Sequence, residues 1–422
     1  MSIVRRIKSL IGDRSPLRLG WHHAKAFLAA LRYGFPARTL TVIGVTGTDG
    51  KTTTVGMIAH ILDHEGFAVG ALSTAFFRIR GDVTWNATQK TSPSPFVIQS
   101  FLHRLVKAGC THAILEYSSH GLVQGRMQWT APMVAAITNT SPEHLDYHKT
   151  MEQYRADKGL LFRMIRKGGT KVINREDGSF ALYEKIHTTH TLVYAPKEDL
   201  TSIRATTKSS EATAMIDGRT VHLSLSIPGT FNLHNALCAI LCATAVGIPS
   251  DKAASALTSF AGVPGRMERI DEGQPFAVYV DFTVTPASYT ATLSTLKTIL
   301  EPGHRLLALT GSCGDRMREK RPEVGRIVSQ YADVMVVANE DPYTEDPENI
   351  INEVWAGIEQ AKTKAHRIFD RKEAIAFLLK EAKPGDIVVL CGKGSDTTMW
   401  MKDGKVPWNE REIVRELLKE MK

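Results

Sequence analysis

The stretch Gly44-Val-Thr-Gly-Thr-Asp-Gly-Lys-Thr-Thr-Thr54 grows out of the β-branched run Thr41-Val-Ile-Gly-Val45 and continues in helical character to about His64. Strand, glycine loop and helix, in that order, are what a phosphate-binding loop needs. Glycines let successive backbone N–H groups turn toward phosphate oxygens, and the start of the helix adds the positive end of its dipole. In this reading Gly47, Thr48, Asp49, Gly50 and Thr53 form the cradle, Lys51 reaches the terminal phosphates, and the Thr52 hydroxyl faces Mg²⁺. The common spacing has a glycine six residues before the lysine; Val45 stands there, so the loop is a variant.

Outward from the loop, the apolar runs Ala113-Ile-Leu-Glu116 and Val134-Ala-Ala-Ile137 read as buried parallel strands. After a break near Val263-Pro-Gly-Arg266, a second series begins with Phe276-Ala-Val-Tyr-Val280, Leu306-Leu-Ala-Leu309, Val334-Met-Val-Val337 and Ile387-Val-Val-Leu390. Strands alternating with helices predict an α/β protein. Its expected parts are a central phosphate-loop ATPase domain with a mostly parallel sheet over residues 41–262 and a C-terminal Rossmann-like α/β domain over residues 263–422. Ligands in such sheets sit at the carboxyl ends of the strands.

A chain of 422 residues, 43% of them hydrophobic, buries a core large enough for two or three domains, which excludes disorder. The net charge of +8 asks for an anionic partner. Cysteines 110, 238, 242, 313 and 391 form no CxxC pair, so no disulfide framework is expected and the reducing cytoplasm is the expected compartment. No apolar run approaches the ~20 residues of a spanning helix, and Met1 to Leu10 lacks the apolar core and cleavage site of a secretory signal. Residues 1–40 are a basic helical segment in which Arg5, Arg6, Lys8, Arg14, Arg18, Lys25, Arg32 and Arg38 face one acid, Asp13. Trp21, Ala24, Phe27, Leu28 and Leu31 recur there at helical spacing as one apolar stripe, expected to pack on the next domain. Peripheral contact with a membrane surface is the alternative.

Three further segments carry chemistry. Glu116-Tyr-Ser-Ser-His120 ends a predicted strand, so Glu116 would emerge beside the phosphate loop, where a hard carboxylate oxygen holds Mg²⁺. Thr138-Asn-Thr-Ser-Pro-Glu-His-Leu-Asp-Tyr-His-Lys-Thr-Met151 contains His144 and His148 at the spacing of helical zinc ligands. Its turn-forming residues and the lack of a third ligand argue against zinc. Lys158 follows in Tyr154-Arg-Ala-Asp-Lys-Gly159. His234, Cys238 and Cys242 also stand at four-residue spacing, but their Ala, Leu and Ile neighbours make them a buried helix face.

T-G-T-D-G-K-T-T-T is similar to the ATP loop of the Mur ligases and of the related folylpolyglutamate synthases. Glu116 to His120 resembles the Mur motif E-x-S-S-H, and residues 138–151 resemble the H-L-D-Y-H-G-T-M stretch of the tripeptide synthetase branch, with Glu143 where that branch has Asp. Gly265-Arg-Met-Glu268, Asp281-Phe-Thr-Val-Thr-Pro286 and Gly311-Ser-Cys-Gly-Asp-Arg316, with Lys320-Arg-Pro322, follow in family order. The resemblance runs from about residue 40 to the end. It implies an ATP-dependent ligase that joins a free amino acid to a muramyl-peptide carboxylate through an acyl phosphate. It implies Lys51, Glu116, Lys158 and His144 as the catalytic set, and Mg²⁺ held by Thr52, Glu116, His144 and a CO₂-derived carbamate on Lys158. The ATP site would be completed by Asn232 and Asn235 of Pro228-Gly-Thr-Phe-Asn-Leu-His-Asn235, and by Arg266, Asp281 and Arg316. Thr91, Ser92, Ser118, Ser119 and Arg126 fall where that branch binds its acceptor, and hydroxyls with a guanidinium suit an anionic sugar and a carboxylate.

The sequence also departs from the family. Phe282 and Val284 replace a tyrosine and a histidine. Glu340-Asp-Pro-Tyr343 stands for D-N-P-R, and Gly392-Lys-Gly-Ser-Asp396 for G-K-G-H-E. Tyrosine cannot make arginine's bidentate pair with a carboxylate. An acidic pocket of Glu340, Asp341 and Asp396, with Tyr343 and Gly392, is expected to favour a cationic amino acid such as lysine. The branch has a uridine-nucleotide-binding domain at the position of residues 1–40, so a lipid-linked acceptor is the alternative to a nucleotide-linked one. A monomer is expected, and no base-stacking or helicase-like motif points to nucleic acid. The competing readings are a folylpolyglutamate-type ligase and a non-catalytic ATP-binding regulator.

Overall fold

The computed structural model describes residues 14–421. Arg5, Arg6, Lys8 and Asp13 of the basic segment lie outside the described residues. Ser15 and Pro16 start α1 (Pro16–Arg32): the serine hydroxyl accepts from the Arg18 N–H, and proline fits a first turn whose N–H groups have no helical partner. β1 (Thr41–Thr46), the glycine loop and α2 (Lys51–His64) follow as the sequence predicts.

The first sheet joins β1 to β2 (Val69–Leu72), β3 (Phe76–Ile79), β4 (Asp82–Trp85), β5 (His112–Glu116), β6 (Val134–Ile137), β7 (Thr170–Asn174) and β8 (His190–Tyr194). Their order is β4-β3-β2-β5-β1-β6-β7-β8; the strands from β2 to β8 run parallel, and β3 and β4 form an antiparallel edge. The chain leaves β1 for β2 on one side of the sheet and leaves the adjacent β5 for β6 on the other, so the carboxyl ends of β1 and β5 flank a topological switch point, where the glycine loop stands. One face is covered by α3 (Pro95–Lys107) and α4 (Met151–Arg163) through Leu102, Leu105, Leu161 and Phe162. The other is covered by α2 and by α5 (Thr230–Thr244) and α6 (Ser250–Leu257), where Ile58, Ile61, Leu237, Ile240 and Leu257 meet. An antiparallel sheet of β9 (Leu200–Ala205), β10 (Ser210–Ile216) and β11 (Arg219–Leu225) closes this core. Cys238 and Cys242 are buried on α5, as their apolar setting requires.

The second sheet, ordered β12-β13-β17-β14-β15-β16, contains β12 (Glu268–Ile270), β13 (Ala277–Asp281), β14 (Leu306–Thr310), β15 (Val334–Val337), β16 (Lys364–Arg367) and β17 (Ile387–Cys391). Only β12 is antiparallel to its neighbour. Helices α7 (Pro286–Ile299), α8 (Lys320–Tyr331) and α9 (Pro347–Trp355) pack on one face, and α10 (Arg371–Glu381) and α11 (Glu410–Glu420) on the other. Buried Arg371 locks the last pair, donating to both oxygens of Glu410 at 2.6 and 3.0 Å. The hairpin of β18 (Thr398–Met401) and β19 (Gly404–Pro407) stands apart from both sheets.

The apolar stripe of α1 corrects the sequence reading. Ala26, Ala29 and Ala30 are the buried residues of the helix, whereas Leu17 is 82%, Trp21 66%, Leu28 51% and Leu31 55% exposed. Small side chains let α1 approach α3 closely, and that seat leaves the larger side chains pointing outward. No described helix is long and apolar enough to cross a membrane.

Leu237, wholly buried between α2 and the sheets, gives a direct test of the central core. Leu237→Ala is expected to cost about 2–5 kcal/mol in urea unfolding; a cost below about 1 kcal/mol would contradict this packing.

Candidate active site

Positive φ angles at Gly47 (147°) and Gly50 (81°) turn the loop between β1 and α2. A Cβ at Gly47 would lie 1.9 Å from the Thr138 Oγ1, and one at Gly50 2.2 Å from the Asn235 Oδ1. Both glycines are therefore required by backbone angle and by close neighbours. Gly50 leaves α2 without a side-chain cap, so its first-turn N–H groups are available to an anion. Lys51 folds back to donate to the Thr48 carbonyl at 2.7 Å. Thr48 bonds Tyr154 and Ser141, and Thr53 lies buried in the first turn of α2.

Glu116, at the end of β5 and 1% exposed, receives the Thr52 hydroxyl at 3.0 Å, the Thr74 N–H at 2.7 Å and the Thr74 hydroxyl at 2.9 Å. Thr74 also donates to Thr91 at 2.9 Å. Hydroxyls and one carboxylate form a hard oxygen set that fits Mg²⁺ with phosphate and water completing its shell. No group of three or more His, Cys, Asp or Glu that could hold a metal ion is found among the described residues.

Lys158 on α4 is buried, donates to the Gly47 carbonyl at 2.6 Å and lies 4.4 Å from the centre of the Tyr154 ring. Burial, and after it the charge of Lys51, pushes its amine well below the ordinary lysine range. His144 starts a short helical turn with φ 57°. Burial and, after it, the nearby charges of His120, Lys158, Lys320 and Lys51 lower its affinity for a proton, which suits a metal ligand. Beside it the Glu143 Oε2 and the Tyr147 hydroxyl are buried without a partner among the described residues. These orphaned atoms fit a site that takes a polar ligand.

The second domain reaches the loop through Thr285, whose hydroxyl donates to both oxygens of Asp49 at 3.3 Å. Lys320 lies 3.5 Å from Glu143, and Gln89 donates to Thr398 at 2.8 Å. Three predicted nucleotide contacts are already engaged elsewhere. Asp281 accepts from the Met267 N–H at 2.7 Å and from the Thr283 hydroxyl. Asn232 donates to the Pro228 carbonyl at 2.7 Å, and exposed Arg316 lies 5.0 Å over the Tyr343 ring. Arg266 is held 4.3 Å over Phe282.

The Mur ligase middle-domain model matches residues 45–243, and the Mur ligase glutamate-ligase-domain model matches residues 265–394. The chain belongs to the Mur ligase family. A UDP-N-acetylmuramyl-tripeptide synthetase of Roseiflexus sp. is 35% identical to it, over 94% of this chain and 82% of that protein. A solved UDP-N-acetylmuramoyl-L-alanyl-D-glutamate–2,6-diaminopimelate ligase superposes with a TM-score of 0.63 at 29% identity, covering 90% of this chain and 79% of that one. A folylpolyglutamate synthase of Mycobacterium tuberculosis shares the fold, with a TM-score of 0.71 at 16% identity, over 87% of this chain and 91% of that one. Mur ligases are ATP-dependent, use Mg²⁺ and form the amide bonds of peptidoglycan precursors; this chain is such an acid–amino-acid ligase.

In this Mur ligase Glu340, Asp341 and Asp396, expected to line an amino-acid pocket, are each paired with a buried cation that serves two acids. Lys393 donates to Asp341 at 2.7 Å and to Asp396 at 3.0 Å, while Arg371 lies 3.8 Å from Glu340, which backs onto Gly392. Tyr343 stacks on Trp400 at 5.5 Å. These pairs brace the acids, while the Glu340 Oε2 is buried without a hydrogen-bond partner among the described residues.

On the acceptor side, the Ser92 hydroxyl accepts from the Ser118 N–H at 3.0 Å, and the Ser118 hydroxyl caps Gly121. Arg126 donates to the Ser92 carbonyl at 2.6 Å and forks onto Gln124 at 2.9 and 2.7 Å. Sequence reasoning missed the chain that holds Ser119. Its hydroxyl faces His148 Nε2 at 2.9 Å, His148 Nδ1 meets Asp157 at 2.5 Å, and Arg14 grips Asp157 at 2.6 and 2.9 Å. Burial alone would raise the Asp157 carboxyl, but hydrogen bonds from His148, Arg14 and Gln153 outweigh it and hold it at about 2. An ionised carboxylate only accepts, so Nδ1 donates to it and Nε2 is turned to Ser119. The spacing of His148 raised only zinc, and nothing local ties Arg14 to Asp157.

His148→Ala is expected to raise the KM for the carboxylate acceptor by about tenfold, the worth of one buried hydrogen bond, with the KM for ATP unchanged. Steady-state kinetics varying each substrate decide it; a parallel rise in both KM values would reduce His148 to a packing role.

Proposed function

We propose that this Mur ligase adds a free amino acid to the peptide carboxylate of a muramyl-peptide acceptor, in the cytoplasm, by way of an acyl phosphate. The acceptor assignment draws on the relatives, whose names specify UDP-muramyl peptides. The γ-phosphoryl group passes from ATP to the carboxylate, and the amine of the amino acid then displaces phosphate to give the amide. Bringing two anions together is mainly a problem of charge and position.

In this reading Lys51 leaves the Thr48 carbonyl for the β- and γ-phosphates, and the first-turn N–H groups of α2 hold the remaining oxygens. Thr52, Glu116 and His144 would hold Mg²⁺, which supplies charge neutralisation between the two anions. Asn235, against Gly50, and Arg266 border the nucleotide. Thr91, Ser118, Ser119 and Arg126 orient the acceptor, with Ser119 aimed by His148. Tyr343 and Trp400 present a stacked wall to the amino acid.

One observation carries the catalytic part of this reading: a wholly buried lysine with a depressed amine, held against the phosphate loop and facing Lys51. A second fixed cation would repel Lys51, whereas a neutral amine attacks CO₂, forming the C–N bond and releasing one proton to solvent, to become an anionic carbamate. Such a group suits a metal site between nucleotide and acceptor.

Purified enzyme with Mg²⁺, bicarbonate, a UDP-muramyl-dipeptide and an amino-acid panel is expected to release ADP only when acceptor and amino acid are both present. ADP release indifferent to amino acid would sink the ligase assignment. Lys51→Ala should lower turnover by about 10²–10³-fold, as loss of a transition-state charge donor does. Removing bicarbonate and CO₂ should lower the wild-type rate and re-addition restore it, whereas Lys158→Arg should stay inactive under both conditions. A rate indifferent to CO₂ would remove the carbamate from the mechanism.

A further inference from the structure

We infer that the outward face of α1 docks this enzyme on an anionic lipid surface. Leu17, Trp21, Ala24, Leu28 and Leu31 follow one another at alternating four- and three-residue steps, which sets them in a single line along the helix. All five are exposed, on the side away from Ala26, Ala29 and Ala30. Phe27 extends the patch to Trp129, at 5.6 Å between ring centres, and both of these are also exposed. Leaving large apolar side chains such as Leu17, Trp21, Leu28 and Leu31 in water forgoes the gain of burying them. A contiguous exposed patch of this kind marks a contact surface.

Charge selects the occupant. Lys25 and Arg32 stand seven residues apart, half-exposed and exposed, so they lie on a second line beside the apolar one. From Arg14 to Thr48 the sequence holds no Asp or Glu. A protein partner would have to surround an apolar groove with acids alone, whereas a bilayer of anionic lipid offers both complements together. Its acyl boundary takes leucine and tryptophan, and its phosphates take the bases.

The same helix also reaches the active site. Arg14, next to its first turn, is bonded to Asp157, the neighbour of Lys158. Seventeen residues of helix span roughly 25 Å, so a docked α1 would hold the acceptor site within that distance of the headgroups. A lipid-linked carboxylate acceptor would then be presented to the enzyme by the surface it rests on.

The inference stands on the geometry of α1 and not on the ligase assignment, so its test reads binding. The full chain is floated with vesicles of phosphatidylglycerol and phosphatidylcholine, or of phosphatidylcholine alone, at low and high salt. Wild type is compared with Trp21→Glu/Leu28→Glu and with Lys25→Glu/Arg32→Glu, all exposed or half-exposed positions away from the catalytic residues. We expect flotation with the anionic vesicles only, weakened by salt, and a loss of affinity of about tenfold or more in each double variant. Thermal melting and amino-acid-dependent ADP release from a soluble acceptor should be unchanged in both. Absence of flotation with anionic vesicles overturns the inference, as does undiminished flotation of the Trp21→Glu/Leu28→Glu variant. A concentration-dependent dimer in sedimentation, abolished by Leu28→Glu, would assign the face to a second copy of this chain and overturn it equally.

Discussion

Lys158 is 2% exposed, and its Nζ has the Gly47 carbonyl at 2.6 Å as its hydrogen-bond acceptor. An ammonium taken from water loses several kcal/mol that a single carbonyl does not restore, so the site favours the neutral amine. That one contact fixes α4 against the glycine loop and so sets where metal, nucleotide and acceptor can meet. It also accounts for the loop's composition. Gly47 must present its carbonyl inward with Thr138 pressed against its back, and a side chain there has no room.

Asp157 and Lys158 are consecutive, yet they serve different partners. Neighbouring residues on a helix point about 100° apart, so Asp157 reaches His148 and Arg14 while Lys158 reaches the loop. α4 thereby joins the glycine loop, through Gly47, to the Ser119 hydroxyl, through His148. Arg14 couples the same helix to α1, which places the outward face of α1 and the reaction centre on adjoining rigid elements.

The contacts between the two domains include Asp49 with Thr285, Glu143 with Lys320 and Gln89 with Thr398. Two of these involve buried carboxylates whose ionisation burial opposes. Each is costly unless its partner stays in place, so the contacts tie the position of the second domain to the state of the loop. The amino-acid pocket follows the same logic. Lys393 between Asp341 and Asp396, and Arg371 between Glu340 and Glu410, convert a run of acids into a rigid framework.

By itself the sequence determined the elements and their order. The strand, glycine loop and helix at residues 41–64 and the apolar runs of both sheets are legible because β-branching, positive-φ glycines and helical periodicity act within a few residues of chain. The phosphate-loop residues and Glu116 were legible for the same reason, since each lies at a strand end whose geometry is local. Tertiary structure alone decided which face of α1 is covered, because an alanine face and a leucine face are both apolar, and only the closeness of α3 chooses the smaller. It likewise decided that Asp341 and Asp396 are spent on Lys393, and that Arg14, Asp157, His148 and Ser119 form one chain. Charge pairing depends on which residues are brought within about 3 Å of one another, and residues up to 143 positions apart in sequence carry no local mark of it.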